Sequence, residues 1–149
     1  MTKNRGFELI SKYEGHSYLL PERATAHSAG YDLKSAETIE ILPNEIKLVP
    51  TGIKSYMRDN EVLFLMDRSS NPRKKGIVLI NSVGVIDTSY CGDGDEWLFP
   101  CLATEPTTVR KGDRICQFRL LERMPPLNME FCSTLGNKDR GGHGSTGKQ

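Results

Sequence analysis

Apolar and polar residues follow one another in short runs along this chain, and no stretch holds the helical spacing of apolar positions for long. Six segments have strand character: "FELISKY" (7–13), "EIKLV" (45–49), "EVLFLM" (61–66), "GIVLIN" (76–81), "EWLFPCL" (96–102) and "RICQFRLLE" (114–122). In the last, Ile115, Phe118 and Leu120 mix with polar residues, as in a strand with one wet face. "LPNE", "VPTG", "CGDGD" and "RKGD" punctuate the gaps as turns. Many short strands with regular turns predict an all-β barrel or sandwich. One short helix is expected in "RSSNPRKKG", with Ser70 or Asn71 as cap, Pro72 at the first helical position and Gly76 as terminator. From Gly136 onward no hydrophobic residue can anchor the chain, which predicts a folded domain over 1–135 and a separate tail over 136–149.

Composition narrows the class. The chain has 149 residues, enough for one domain with a sizeable core, and its 37% hydrophobic and 26% charged content is that of a globular protein. A net charge of +1 supplies no global field for nucleic acid or an anionic membrane, and neither is expected as a partner. No apolar run approaches the ~20 residues of a membrane span. "MTKNRGFELI" lacks the apolar core of a secretory signal, so the expected compartment is the cytoplasm. Cysteines 91, 101, 116 and 132 form no C-x-x-C pair and read as reduced thiols; the three histidines form no metal motif.

The chemistry lies in five polar stretches. "SAGYDLKSA" (28–36) has small residues that allow close approach to the backbone, and a carboxylate at Asp32; alone it is equally a tight turn with a solvated aspartate. "DRSSNPRKKG" (67–76) joins Arg68, Ser69 and Ser70 to a short helix start, which suits an anion as well as a solvated basic turn. "NSVGVIDTSYCGDGD" (81–95) reads as a hairpin turning at Ser82–Gly84, whose backbone could read a base edge. There Asp87 suits either a sheltered edge, placed to act on water, or an ordinary capping position on a surface hairpin. "KGDRICQF" (111–118) offers Gln117. In "RGGHGSTGKQ" (140–149), Gly142, Gly147 and Lys148 spell most of a Walker A loop. Gln149 stands where the magnesium-binding Ser or Thr belongs, and a helix must come after such a loop. The glycines, Arg140, Ser145 and Thr146 suit either an unstructured tail or an arm closing on a phosphorylated ligand.

Taken in order, "AGYDL", "RSS" with "KKGI", "NSVGVIDTSYCG", "KGDRICQ" and "RGGHGSTG" resemble the five motifs of the trimeric dUTPase family, with "PTGI" (50–53) between the first two. The resemblance spans roughly 29 to 147 and implies a dUTPase-like β-barrel, a distorted jelly roll, with a C-terminal arm. It implies a homotrimer with active sites shared between subunits, and hydrolysis of dUTP to dUMP and pyrophosphate with Mg2+. By the same resemblance Asp87 orients the attacking water at the α-phosphate and touches the sugar 3′-OH. Tyr90 packs under the deoxyribose and excludes a 2′-OH. Asn81 and the backbone through Gly84, Val85 and Ile86 read uracil. Arg68, Ser69, Ser70 and Gln117 hold phosphates, and Asp32 binds magnesium through water. In the arm, Arg140, Gly144, Ser145 and Thr146 clamp the outer phosphates, and His143 stands where the family usually has Phe over the uracil. Two rivals carry different chemistry. A dCTP deaminase needs a carboxylate at the base, for which Glu96 and Glu105 are the candidates after the third motif. A regulatory module would keep the nucleotide site and act through a protein partner.

Overall fold

Eleven short strands account for nearly all of the regular structure in the computed structural model, which describes residues 4–123 and positions 131, 133, 134, 136 and 138. The strands are β1 (Gly6–Leu9), β2 (Tyr31–Lys34), β3 (Ile39–Ile41), β4 (Ile46–Pro50), β5 (Ile53–Tyr56), β6 (Glu61–Asp67), β7 (Ile77–Leu79), β8 (Gly84–Ile86), β9 (Leu98–Ala103), β10 (Thr107–Val109) and β11 (Arg114–Glu122). They pair antiparallel into four sheets: β1 with β5, β3 with β10, β2-β11-β6-β8, and β4-β9-β7. Among the described residues this pairing does not close into a barrel.

Alternation builds the core. β9 buries Phe99, Cys101 and Ala103 while Leu98, Pro100 and Leu102 face outward, and β6 buries Leu63 and Leu65 in the same way. Phe118 stacks on Tyr31 with ring centroids 5.0 Å apart and meets Trp97 edge-on at 5.1 Å. That cluster fixes the site, because Tyr31 and Phe118 point inward while their chain neighbours Asp32 and Gln117 are paired partners in the ladder. Period two therefore turns both toward the opposite face of the sheet.

Three expectations are corrected. "FELISKY" is not one strand: β1 ends at Leu9 and Ser11–Tyr13 forms a 3-10 turn, with His16 N bonded back to Tyr13 O. The "GIVLIN…VID" segment makes the turn but not a paired hairpin, since β7 joins β9 and β8 joins β6. The short helix is present as a five-residue π-type turn, Asn71–Lys75, with Pro72 in its first turn and Gly76 ending it at φ 63°. No side chain caps it. The Asn71 amide is instead spent on Asp67 Oδ1 and Ile115 O, both at 2.6 Å. Asn71 is completely buried, so those bonds replace a solvent contact it cannot make.

No helix among the described residues is long and apolar enough to cross a membrane. Cys91, Cys101 and Cys116 are free thiols, and burial pushes Cys101 up to about 11.

Candidate active site

A polar cavity of about 300 Å³ opens where β2, β6 and β11 meet. Arg68, Ser69, Ser70, Gln117, Gly30 and Asp32 line it. The Arg68 guanidinium donates through Nε to Asp32 Oδ1 at 3.1 Å, and Arg114 Nη1 lies 3.5 Å from Asp32 Oδ2. The Ser69 and Ser70 hydroxyls bond no other group among the described residues, so they remain as donors toward the cavity. Gln117 is held by its Nε2 on Asp67 O at 2.9 Å. A methyl group on Gly30 would come within 2.9 Å of Gln117 Oε1 and 3.2 Å of Phe118 O, so glycine is what lets β2 lie this close to β11. Cation, hydroxyls and amide converge here with no aromatic side chain, the composition of an anion pocket.

A second cavity, about 440 Å³, has the opposite character. Asn81, Gly84, Val85, Ile86, Tyr90 and Trp97 are among its lining residues, and no lysine or arginine is. β8 is the edge strand of its sheet, so no strand pairs its outer side among the described residues and its amides can face a ligand. The approach to β8 is tight: Val83 N bonds Asn81 O at 2.7 Å across Ser82, which sits at φ 65°. A non-glycine residue in that region costs energy and recurs at ligand-binding turns. Tyr90 donates its hydroxyl to Glu96 O at 3.2 Å and its backbone N to Asp87 O at 3.3 Å. Glu96 is half-buried in the same cavity; burial raises its pKa, while Gly52 N donates to its Oε1 at 2.7 Å.

A third cavity of about 270 Å³ holds Asp87, with Ser89, Arg123 and Val85. Val85 is shared with the second cavity. Asp87 is exposed in this chain, in line with the surface position rather than the sheltered edge, because β8 ends at Ile86 and among the described residues no strand covers those after it. Its Oδ1 accepts from Ser89 Oγ at 2.6 Å and Ser89 N at 2.9 Å. Those bonds, the side-chain one first, hold the carboxyl below its ordinary value, and Arg123 adds to the effect.

The structure thus gathers Asp32, Arg68, Ser69, Ser70 and Gln117 in one cavity, and Asn81, Gly84, Val85, Ile86 and Tyr90 in another, with Asp87 beside the second. Arg140, His143, Gly144, Ser145 and Thr146, and with them the arm, lie outside the described residues. Three contributors are given no such role by the sequence: Arg114 as the second cation on Asp32, Glu96 as an anchor beside Tyr90, and Asp67 behind the loop of Arg68, Ser69 and Ser70. Asp67 and Arg114 stand inside the polar stretches, and Glu96 enters only as a carboxylate for the deaminase rival, but their pairings across the sheets have no local signal.

The donor set also bears on magnesium. Among the described residues no three His, Cys, Asp or Glu side chains gather to hold a metal. Asp32 is a single carboxylate facing an anion pocket, which fits a hydrated cation carried chiefly by phosphate oxygens rather than a protein cage.

An anion pocket and an apolar, amide-edged pocket in a mostly β protein are chemistry that suits a nucleotide. The dUTPase family model matches residues 17–147, and the chain belongs to the dUTPase family and is an enzyme. It is 47% identical over 151 residues to the deoxyuridine 5'-triphosphate nucleotidohydrolase of Lactococcus lactis, covering 97% of this chain and 99% of that one. The crystal structure of the dUTPase from Streptococcus mutans aligns at TM-score 0.77 and 47% identity, over 83% of this chain and 99% of that chain. A mutant dUTPase of phage phi11 of S. aureus, at 19% identity and TM-score 0.73 over 89% of this chain and 99% of that chain, shares the fold. Its structure is described as revealing the coordination of a structural Mg(II) ion.

Proposed function

We propose that this enzyme hydrolyses dUTP to dUMP and pyrophosphate, in a homotrimer whose active sites are shared between subunits. The observation that carries the reading is the separation of chemistries within one chain: the anion pocket has no base-sized apolar slot, and the amide-edged pocket has no cation. A nucleoside triphosphate needs both, and a neighbouring subunit can bring one to the other. Exposed apolar side chains support such contacts, with Leu42, Ile46, Leu48 and Val85 each more than half exposed. The barrel closure of the family and its arm over residues 136–149 belong to the same reading.

In this assignment the β8 edge and Asn81 bond the uracil, and a cytosine would leave buried donors facing donors, a mismatch worth roughly 10⁴-fold in discrimination. Tyr90, tied at both its hydroxyl and its amide, forms a wall where a 2′-OH would collide. Arg68, Ser69, Ser70 and Gln117 bind the phosphate chain, and Arg140, Gly144, Ser145 and Thr146 complete that set from the arm while His143 stacks on the base. Asp87 holds a water in line with the bond from the α-phosphorus to the bridging oxygen. The water oxygen bonds to phosphorus, the bridging bond breaks, the electron pair leaves on pyrophosphate, and Asp87 accepts the water's proton. Asp32 would hold hydrated Mg2+, which when bound neutralises phosphate charge. The compartment proposed is the cytoplasm, with dUTP as ligand and neither nucleic acid nor membrane as partner.

The test is pyrophosphate release with Mg2+ from dUTP, dCTP, dTTP and UTP, with the base identified in the products. Release from dUTP alone, giving dUMP, is expected. Conversion of dCTP to a uracil product would overturn the reading and assign Glu96 to water activation at the base.

A further inference from the structure

We infer that Asp67 is a positioning residue, tying the phosphate-binding loop and the strand that delivers the base-reading turn to one carboxylate. This inference rests on the proposed dUTP reading of the two cavities. Asp67 ends β6, and Arg68 comes directly after it. Its Oδ1 accepts from Arg68 N at 2.8 Å and from Asn71 Nδ2 at 2.6 Å, so it holds both the start of the loop and the π-type turn beyond Ser69 and Ser70. Its Oδ2 accepts from Leu79 N at 2.9 Å, two residues before Asn81. Its backbone carbonyl accepts from Gln117 Nε2 at 2.9 Å, which orients the amide lining the anion pocket. Asn71 extends the tie across the sheet to Ile115 O.

Every partner of Asp67 in these bonds is a donor, and the donors approach from different elements. A carboxylate meets that demand because it has two acceptor oxygens and no hydrogen of its own. An asparagine must turn its NH2 either on Arg68 N and Asn71 Nδ2 or on Leu79 N, so one side is released whichever way it sits. A glutamate would carry the oxygens one methylene too far from a loop that begins at the next residue. Asp67 lines none of the three cavities, so its contribution passes through Arg68, the two serines, Gln117 and the strand leading to Asn81. Slack in that frame misplaces phosphates relative to the attacking water, and displacement of about 1 Å can cost on the order of a hundred-fold in rate.

The experiment compares the full-length parent with Asp67→Asn and Asn71→Ala. It measures kcat and KM for dUTP per active site, the Kd for dUMP, and the thermal midpoint. Asp67→Asn is expected to lower kcat by about ten- to a hundred-fold, with KM and dUMP affinity within about three-fold of the parent. Asn71→Ala removes the bonds to Asp67 Oδ1 and Ile115 O but keeps Arg68 N and Leu79 N on Asp67, and is expected to lower kcat by a smaller factor with the same unchanged KM. A folded variant pair with parental kcat per active site would overturn the inference, and so would a loss confined to thermal midpoint and active fraction. Should Asp67→Asn not fold, Asn71→Ala decides by the same criterion. A parent that releases no pyrophosphate from dUTP would instead overturn the functional reading beneath it.

Discussion

Asp87 illustrates how a single residue's surroundings set chemistry. Ser89 donates twice to one of its oxygens, through Oγ and through its backbone N. These bonds favour the charged form, so the folded pKa lies below the ordinary value. A depressed carboxyl pKa gives a stabilisation that is present above the unfolded value and lost as pH falls through the folded one. In the proposed role of holding water Asp87 must be ionised, so activity should persist on the acid side beyond the range of a free aspartate at ~3.9. Ser89→Ala removes the larger of the two bonds and raises the Asp87 pKa. The acid limb of kcat/KM is then expected to move to higher pH while the rate near neutral pH changes little. A pH–rate profile of both chains checks this, and a limb that stays in place would remove Asp87 as the titrating group.

At the scale of elements, the turn "PTGI" knits more of the fold than its four residues suggest. Ile10 N bonds Gly52 O at 2.9 Å, Gly52 N bonds Glu96 Oε1 at 2.7 Å, and Thr51 Oγ1 bonds Trp97 O at 2.6 Å. Gly52 adopts φ 74°, and a methyl group there would lie 2.9 Å from Leu19 Cδ1 and 3.0 Å from Tyr13 Cδ2, both in the core. Gly52→Ala therefore combines left-handed strain of about 1 kcal/mol with overpacking of about 1–3 kcal/mol. Thermal denaturation should show a fall of roughly 5 °C or more at this chain length. A midpoint within a degree of the parent would mean the turn relaxes freely. This turn was legible in advance because its residues are local in sequence, as were β6, β9 and β11, whose alternation placed their ends within two residues. The partner of β8 was not legible: Ile77 and Leu79 find β9 while Ile86 finds β6, a choice made by the core rather than by the turn between them. The same limit hid the frame behind the site. Arg68, Ser69 and Ser70 suggested an anion by residue type, but the bond from Arg68 to Asp32 spans 36 positions and exists only because β11 lies between β2 and β6.

The proposed trimer raises the question of which chain would supply which half of a site. A chain ending at Gly136 is expected to remain folded and assembled yet lose most turnover, read by pyrophosphate release beside its sedimentation; full activity would remove the arm from the mechanism. The separation of the two cavities makes a sharper prediction. Arg68→Ala should disable the anion pocket, and Asp87→Asn the carboxylate proposed to hold water, so each variant alone is expected to be nearly inactive. If the phosphate half of a site comes from one subunit and Asp87 from its neighbour, trimers mixed from the two variants contain sites with both groups intact. Random mixing in a cyclic trimer places both groups correctly at about a quarter of the sites. Co-expression or co-refolding of the two variants should then recover roughly that fraction of parental kcat, whereas mixing after assembly should recover activity only as fast as subunits exchange. Sites built within one chain would contain at least one lesion each, and the mixture would stay as inactive as its parts.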